Sequence, residues 1–586
     1  MISMRDGIRL ATDIYRPSKS SLPVRDRLPI LLQRTPYDKT SRQFVEDARF
    51  FSRHGYVVII QDHRGRYNSE GVFTKYIGEG QDGFDTIEYL GKQDYSNGKI
   101  GMWGTSYGAH VQANAAKTKP PNLATIIVNM GGMSNGWDHK IRNHGAFELQ
   151  QLTWAFRQLA AETEDPVVGA MLELESIHDW LTALPLRKGL SPLSVAPNFE
   201  DYVLTMMTHS NYDDYWKHMD INWVEYYDDT IDIPILLISG WYDSYAGGTI
   251  DNYQGLSAEL NSPIRLLMGP WTHGGNTRSY AGDIELGPDA AITDFHNEFH
   301  LRWFDHYLKE KNSEVQKAPV RLFVMGSGDG HKDENGRLFH GGFWRNASEW
   351  PLSGTRMTPH YLYADGSLRK TPPPENIPPS TYTFDPRNPV PTIGGSFSST
   401  SPVFEPGGYH QRESETIFGS KPPFLPLKAR DDVLVYQTDP LEEAVEIVGP
   451  IVINLFVSST ALDTDFTAKL IDVYPPSKDF PLGFELNLTD GIIRARYRSR
   501  PDRQEFLEPG RITQLTVNPF PTANVFKKGH RIRLDISSSN FPRFDINPNT
   551  GEPLGRNRQS AIAHNSIFHD ASYPSYVVLP IIPSGY

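Results

Sequence analysis

The sequence predicts a mostly parallel α/β sheet, interrupted by a helical insertion and followed by an all-β unit. Buried apolar runs alternate with helical stretches over 1–135 and again over 229–340, the pattern of a sheet covered on both faces. Between them, 136–228 is poor in strands and helix-like. After about Trp344 proline and glycine rise, helical periodicity fades and short alternating strands take over. We therefore expect 1–135 and 229–340 to form one sheet domain, 136–228 a cap inserted between two of its strands, and 341–586 a β-sandwich of jelly-roll type. A chain of 586 residues exceeds what one core accommodates, in keeping with this division.

Each element has a local reason. Strands are expected at 28–33, 57–60 and 125–128 from continuous runs of Leu, Ile and Val. The turn pair Asn97-Gly98 opens a strand over 99–103, and 109–116 is rich in helix formers. Cap helices are expected at 147–156 and 167–174. Apolar runs at 233–239 and 264–268 each end in a Gly-containing loop. The span 295–309 repeats aromatics and histidines at helical spacing and reads as a helix docked on the sheet, not as a metal site. A further strand is expected at 320–326 and sandwich strands at 451–457, 466–473 and 530–536; the proline-rich 372–379 is an extended connector.

The chemistry concentrates where strands end. Gly104-Thr105-Ser106-Tyr107-Gly108 is a Gly-x-Ser-x-Gly pentad between a strand and a helix, a corner that projects the serine hydroxyl clear of both. Asp243 follows the apolar run 233–239 and His273 the run 264–268. Carboxyl ends of parallel strands are where active sites assemble, and the order Ser…Asp…His is that of the α/β-hydrolases. A serine hydroxyl needs a base to become a nucleophile, imidazole suits that task, and a carboxylate fixes the imidazole tautomer. Among the nineteen histidines, His110, His139, His144 and His296 are rivals to His273, but His273 alone follows such a strand; Asp232, the rival to Asp243, falls at the wrong end of its strand. The backbone N–H of Tyr107 is expected to stabilise the oxyanion. The loop 34–39 lacks a His-Gly-Gly-Gly run, so the Tyr37 hydroxyl is the candidate second donor, with ordinary aromatic packing as the alternative. Trp137 and Trp154 are candidate pocket walls, with plain cap packing as the alternative.

These motifs, with Met4–Pro17, Arg34-Thr35-Pro36-Tyr37, Gln61–Gly71 and Asp82–Leu90, together resemble the cocaine esterase/X-prolyl dipeptidyl aminopeptidase (CocE/NonD) family of serine hydrolases. The similar stretches run from end to end of the chain. The resemblance implies a Ser106–Asp243–His273 triad, an oxyanion hole of Tyr37 O–H and Tyr107 N–H, and a C-terminal jelly roll; no cofactor and no metal is expected. It also implies a choice of substrate class. Peptidases and amino-ester hydrolases of the group hold an α-ammonium, in amino-ester members partly through acids just after the catalytic aspartate; here Ser244-Tyr245-Ala246-Gly247-Gly248 follows. The extra N-terminal helical domain of X-prolyl peptidases has no counterpart in this sequence. Both departures favour an ester of an uncharged acyl group, although Glu148, Glu162 or Asp165 of the cap could supply the missing charge. The alternative reading is an amide or peptide-type acyl hydrolase, either an X-prolyl dipeptidyl aminopeptidase or an amino-acid ester/β-lactam acylase. The non-enzymatic alternative is a carbohydrate-binding module acting through the jelly roll.

Composition narrows the partners. A net charge of −13 argues against nucleic acid and against anionic membranes, and no apolar run is long enough for a transmembrane helix. Zero cysteines exclude disulfides, thiolate metal sites and a cysteine nucleophile. With no apolar leader at 1–6, the expected compartment is the cytoplasm, and the expected partner is a small-molecule ester. Homo-oligomer formation stays open.

Overall fold

The protein is described by a computed structural model covering residues 1–20, 22–159, 163, 166–398 and 403–583. Its first body is a sheet of nine strands: β1 (Thr12–Tyr15), β2 (Leu28–Thr35), β3 (Val57–Asp62), β4 (Ser96–Thr105), β5 (Leu123–Asn129), β6 (Ile235–Tyr242), β7 (Ile264–Thr272), β8 (Val320–Met325) and β9 (Gly342–Ala347). The spatial order is β1-β3-β2-β4-β5-β6-β7-β8-β9. The strands from β3 to β8 in this order run parallel, and β1 and β9 close the edges antiparallel.

Two-residue alternation sorts the sheet's apolar residues between two cores. Ile30, Leu32, Ile100, Met102, Ile126, Leu237 and Met268 pack with α2 (Glu79–Gly91), α3 (Tyr107–Lys117) and α8 (Ala246–Glu259). Leu31, Val58, Ile60, Trp103, Ile127, Ile238 and Leu267 face α1 (Arg42–Arg53) and α9 (His300–Lys309). Burial on both faces is why these strands read as continuous apolar runs. The chain leaves β2 toward one edge of the sheet and β4 toward the other. The crevice at their carboxyl ends is therefore a topological switch point, where open α/β sheets bind ligands.

Between Asn129 and Ile235 the chain forms the cap, with α4 (Gln150–Leu159), α5 (Pro166–Glu173), α6 (Ile177–Thr182) and α7 (Pro197–Thr208). Stacked Trp154 and Phe199 sit at its centre, with ring centroids 6.1 Å apart. Buried Arg142 fastens the cap: its guanidinium donates to the carbonyls of Gly145, Met206, Met207 and His209. Three of those carbonyls lie at the end of α7, where helix geometry leaves acceptors unused.

The C-terminal unit is a sandwich of antiparallel strands. One sheet orders Leu434–Gln437, Arg531–Ser537, Asp465–Tyr474 and Phe484–Arg494. The other is built around Val452–Ser459, which pairs with Thr513–Val517, Ala563–Asp570 and Tyr576–Ile582. Ile453, Leu455 and Val457 point into the core at every second position.

Several expectations need correction. The second sheet segment does not stop at 340: β9 pairs antiparallel along all of β8, and its Trp344 ring packs edge-on against Phe323 and lies tilted against Trp271. The helix expected from 147 begins at Gln150, because Ala146–Phe147 pairs with Arg142–Asn143 and Glu148 N–H donates to the Ile141 carbonyl. The helix expected over 295–309 opens as a π-turn at Phe295–Phe299 before α9. Among the described residues no helix is long and apolar enough to cross a membrane.

Replacing Arg142 by Met would remove the side-chain donor from the Gly145, Met206 and Met207 carbonyls, while that of His209 keeps Trp216 Nε1 at 3.1 Å. We expect Arg142→Met to cost about 3 kcal/mol or more, read as an earlier loss of cap structure in thermal or denaturant unfolding. An unchanged midpoint would show that the cap does not depend on this residue.

Candidate active site

Ser106 lies between β4 and α3 with φ +62° and ψ −119°, a conformation that costs a non-glycine residue energy. Three backbone bonds hold it. Ser106 N–H donates to the Asn129 carbonyl, and the Ser106 carbonyl accepts from Ala109 and His110 N–H. Gly104, at φ +150°, lets strand and helix close: a Cβ there would lie 2.9 Å from the Gly108 backbone. As the first residue of α3, Tyr107 has a backbone N–H with no acceptor within the helix.

Asp243 follows β6 and His273 follows β7. These ends approach closely because Gly240 has no side chain; a Cβ there would meet the Trp271 carbonyl oxygen at 2.2 Å. His273 Nδ1 lies 2.8 Å from Asp243 Oδ1. A carboxylate only accepts, so the proton sits on Nδ1 and Nε2 is the basic nitrogen. Asp243 is fully buried, and its Oδ2 accepts from the Ser239 hydroxyl at 2.7 Å. The His273 ring stacks on Tyr245, 5.9 Å between centroids.

Tyr37 follows β2, across the switch point from Ser106. Its hydroxyl accepts from Trp154 Nε1 at 3.2 Å and lies within hydrogen-bond reach of Ser106. Burial pushes the phenol above its usual pKa, so it stays a donor. A buried ionic network sits beneath this corner. Arg34 Nη2 lies 3.2 Å from Glu79 Oε2, and His63 Nδ1 lies 3.0 Å from Glu79 Oε1. Burial alone would raise the Glu79 pKa; His63 and Arg34 outweigh it and hold the carboxyl at about 2. Tyr107 bridges the network to the pocket, its phenolic oxygen accepting from Tyr76 N–H at 2.6 Å.

Ser106, Tyr37, Tyr107 and His273 line one cavity of about 290 Å³, with Trp154 as part of its wall. Trp137 is not on that wall. Its indole N–H donates to the Ser210 carbonyl and its ring packs edge-on against Tyr497 of the sandwich, so it fastens cap to sandwich. The rival histidines are engaged elsewhere: His110 with Asn114, His139 with Asp251, His144 with Asp138, and His296 edge-on to Phe295 in the π-turn before α9. Of the cap acids, Glu148 is fully buried and off the cavity wall; Glu162 and Asp165 lie outside the described residues. Sequence reasoning missed Lys75, Tyr76, Lys140, Gln150, Gln151, Arg157, Tyr245 and Ser398, all of which line the cavity. None belongs to a recognisable motif. Tyr245 alone had a sequence signal, its place just after Asp243.

A serine at such an elbow, a carboxylate-anchored imidazole on the same sheet rim and a capped pocket define a serine hydrolase of the α/β-hydrolase class. The comparisons with known proteins agree. Residues 6–275 match the model of the X-Pro dipeptidyl-peptidase (S15 family), and 313–578 that of the X-Pro dipeptidyl-peptidase C-terminal non-catalytic domain. The chain is 32% identical to a cocaine esterase of Rhodococcus sp. (strain MB1 Bresler), over 99% of this chain and 98% of that one. The structure is similar to that of an α-amino acid ester hydrolase, at TM-score 0.77 and 26% identity, covering 99% and 95% of the two chains. An aminopeptidase from a marine sediment Thaumarchaeota archaeon shares the fold at TM-score 0.79 and 24% identity, covering 100% and 95%. This chain belongs to the cocaine esterase/X-Pro dipeptidyl-peptidase (S15) family.

The Glu79 network yields a pH signature. A carboxyl held at about 2 in the folded state, against about 4.3 when unfolded, adds stability that is present above the higher value and lost as pH falls toward the lower. We expect Glu79→Gln to cost about 3 kcal/mol at neutral pH, with the gap to wild type shrinking as pH drops below about 5. Denaturant unfolding across that range reads it; a gap independent of pH would contradict the network's role.

Proposed function

We propose that Ser106, His273 and Asp243 perform two-step acyl transfer on small carboxylic esters. Ser106 Oγ attacks the ester carbonyl while His273 Nε2 takes its proton. Negative charge develops on the carbonyl oxygen, and Tyr107 N–H and Tyr37 O–H donate to it. His273 returns the proton to the departing alkoxide, leaving an acyl-Ser106 ester. Water then attacks that ester, with His273 again accepting the proton and passing it to Ser106 Oγ as the C–O bond breaks and the acid is released. Asp243 keeps the imidazole in the working tautomer and stabilises its cation.

The single observation that carries this reading is the Asp243–His273 hydrogen bond opening onto the cavity that also holds the Ser106 hydroxyl. The ester class draws support from the cocaine esterase relative and from the charge of the cavity, whose charged wall residues among those described are Lys75, Lys140 and Arg157. An α-ammonium, which peptidase and amino-ester substrates carry, would meet like charge there. The sandwich has a part in the pocket through Ser398. A net charge of −13 supports a partner that is a small molecule and not nucleic acid.

We expect Ser106→Ala to lower hydrolysis of short-chain aryl esters by about 10⁴–10⁶-fold with the fold intact. Residual activity above about a tenth would remove Ser106 from the nucleophile's role. Tyr37→Phe should lower kcat by about 10²–10³-fold, and unchanged turnover would return Tyr37 to packing. Matched esters and amides with and without a free α-amino group separate the two hydrolase readings: a strong preference for the free amine would favour the peptidase type.

A further inference from the structure

A buried ammonium is costly unless it is paired, yet two line the cavity beside Ser106. Lys75 and Lys140 are 2% and 4% exposed. Among the described residues, neither forms an ion pair. Lys75 Nζ donates to Gln151 Oε1 at 2.9 Å and lies 3.9 Å from the centre of the Trp154 ring. Lys140 Nζ reaches the Ser244 hydroxyl at 3.3 Å and the Ser398 hydroxyl, and lies 4.8 Å from the centre of the Tyr245 ring. Each ammonium therefore has neutral oxygens and aromatic faces around it, and among the described residues no carboxylate bonds to it. Gln151 links the two, accepting from Lys75 and donating to the Lys140 carbonyl at 2.8 Å. Arg157 adds a third cation to the wall.

The nearby acids among the described residues form no ion pair with either lysine. Asp243 is committed to His273 and Ser239. Glu148 is buried off the wall, where Gln150 Nε2 donates to it and Arg543 is its strongest charged neighbour. Burial pushes the Lys75 pKa well below its usual value, and Lys140 and Arg157 push the same way; burial brings Lys140 down to about 8 despite Glu148 and Asp243. Such a cluster gains most from an anionic oxygen delivered by something that enters the cavity.

We propose that the cavity's Lys75–Lys140–Arg157 cluster binds a substrate carboxylate, so that the preferred esters carry an ionised carboxyl group besides the scissile ester bond. This rests on Ser106 being the nucleophile. It also revises the expectation of an uncharged acyl group: the cavity that disfavours an α-ammonium favours the opposite charge. The carboxylate can belong to the acyl half, as in a hemiester of a short dicarboxylic acid, or to the alcohol half.

Two matched substrate pairs test this and locate the charge. The acyl arm compares p-nitrophenyl hemiglutarate with its methyl-capped neutral diester. The alcohol arm compares 4-acetoxybenzoate with 4-acetoxybenzamide. In at least one arm the anionic member should exceed its neutral partner about tenfold in kcat/KM, mainly through a lower KM. Glutarate should inhibit competitively where glutaramide does not. Lys140→Met and Lys75→Met should each lower the anionic-to-neutral ratio about tenfold, and Lys140→Arg should keep it. Ratios below about threefold in both arms of the wild-type enzyme, or ratios that survive both Met variants, overturn the proposal. If the variants do not fold, the wild-type ratios and the glutarate inhibition decide it. Turnover that Ser106→Ala abolishes, without anion preference, sinks the carboxylate site alone. Turnover that survives Ser106→Ala sinks the nucleophile assignment instead.

Discussion

One backbone corner governs the site: Ser106 held at φ +62° between a strand and a helix. A non-glycine residue there costs of order 1–3 kcal/mol, and the surrounding structure has to supply it. Here the supply is visible in the Asn129 carbonyl that receives Ser106 N–H and in the side-chain-free contact of Gly104 with Gly108. The return is geometric. One corner presents a hydroxyl, a helix N-terminus and an unused backbone N–H to the same point in space.

The rest of the fold meets that corner from separate directions. The sheet supplies Tyr37 across the switch point and His273 from the far side. The cap supplies Trp154, whose indole holds the Tyr37 hydroxyl, together with Lys140 and Arg157. The C-terminal unit supplies Ser398, whose backbone N–H and hydroxyl both donate to Gln150 of α4 at 2.9 Å. The sandwich is thus joined to the cavity by hydrogen bonds and to the cap by the Trp137–Tyr497 contact. Charge is distributed unevenly around Ser106: the Arg34–Glu79–His63 network is paired beneath the elbow, and the cavity's lysines form no ion pair among the described residues.

The sheet and the elbow were legible in the sequence because their signals are local. An apolar run buried on both faces, a glycine where strand and helix touch, and a polar residue just past a strand end are each written within a few neighbouring positions. The pocket was not legible, because its residues converge only in three dimensions. Lys75 follows a Phe-Thr pair and Lys140 an Asp-His pair, with no pattern joining them. Trp137 and Trp154 look alike as sequence, yet packing sends one ring to Tyr497 and the other to Tyr37. Similarly, β9 lies in a stretch already rich in the punctuation of the sandwich, and only its pairing with β8 assigns it to the sheet.

The central claim is that Ser106 becomes covalently acylated. Its most direct test is mass spectrometry of the protein after reaction with an aryl phosphonate that traps activated serines. The account predicts a single stoichiometric adduct on the peptide containing Ser106, slowed by a competing ester and absent when His273 is replaced by Ala. An adduct on another serine, or none under conditions where esters are turned over, would contradict it.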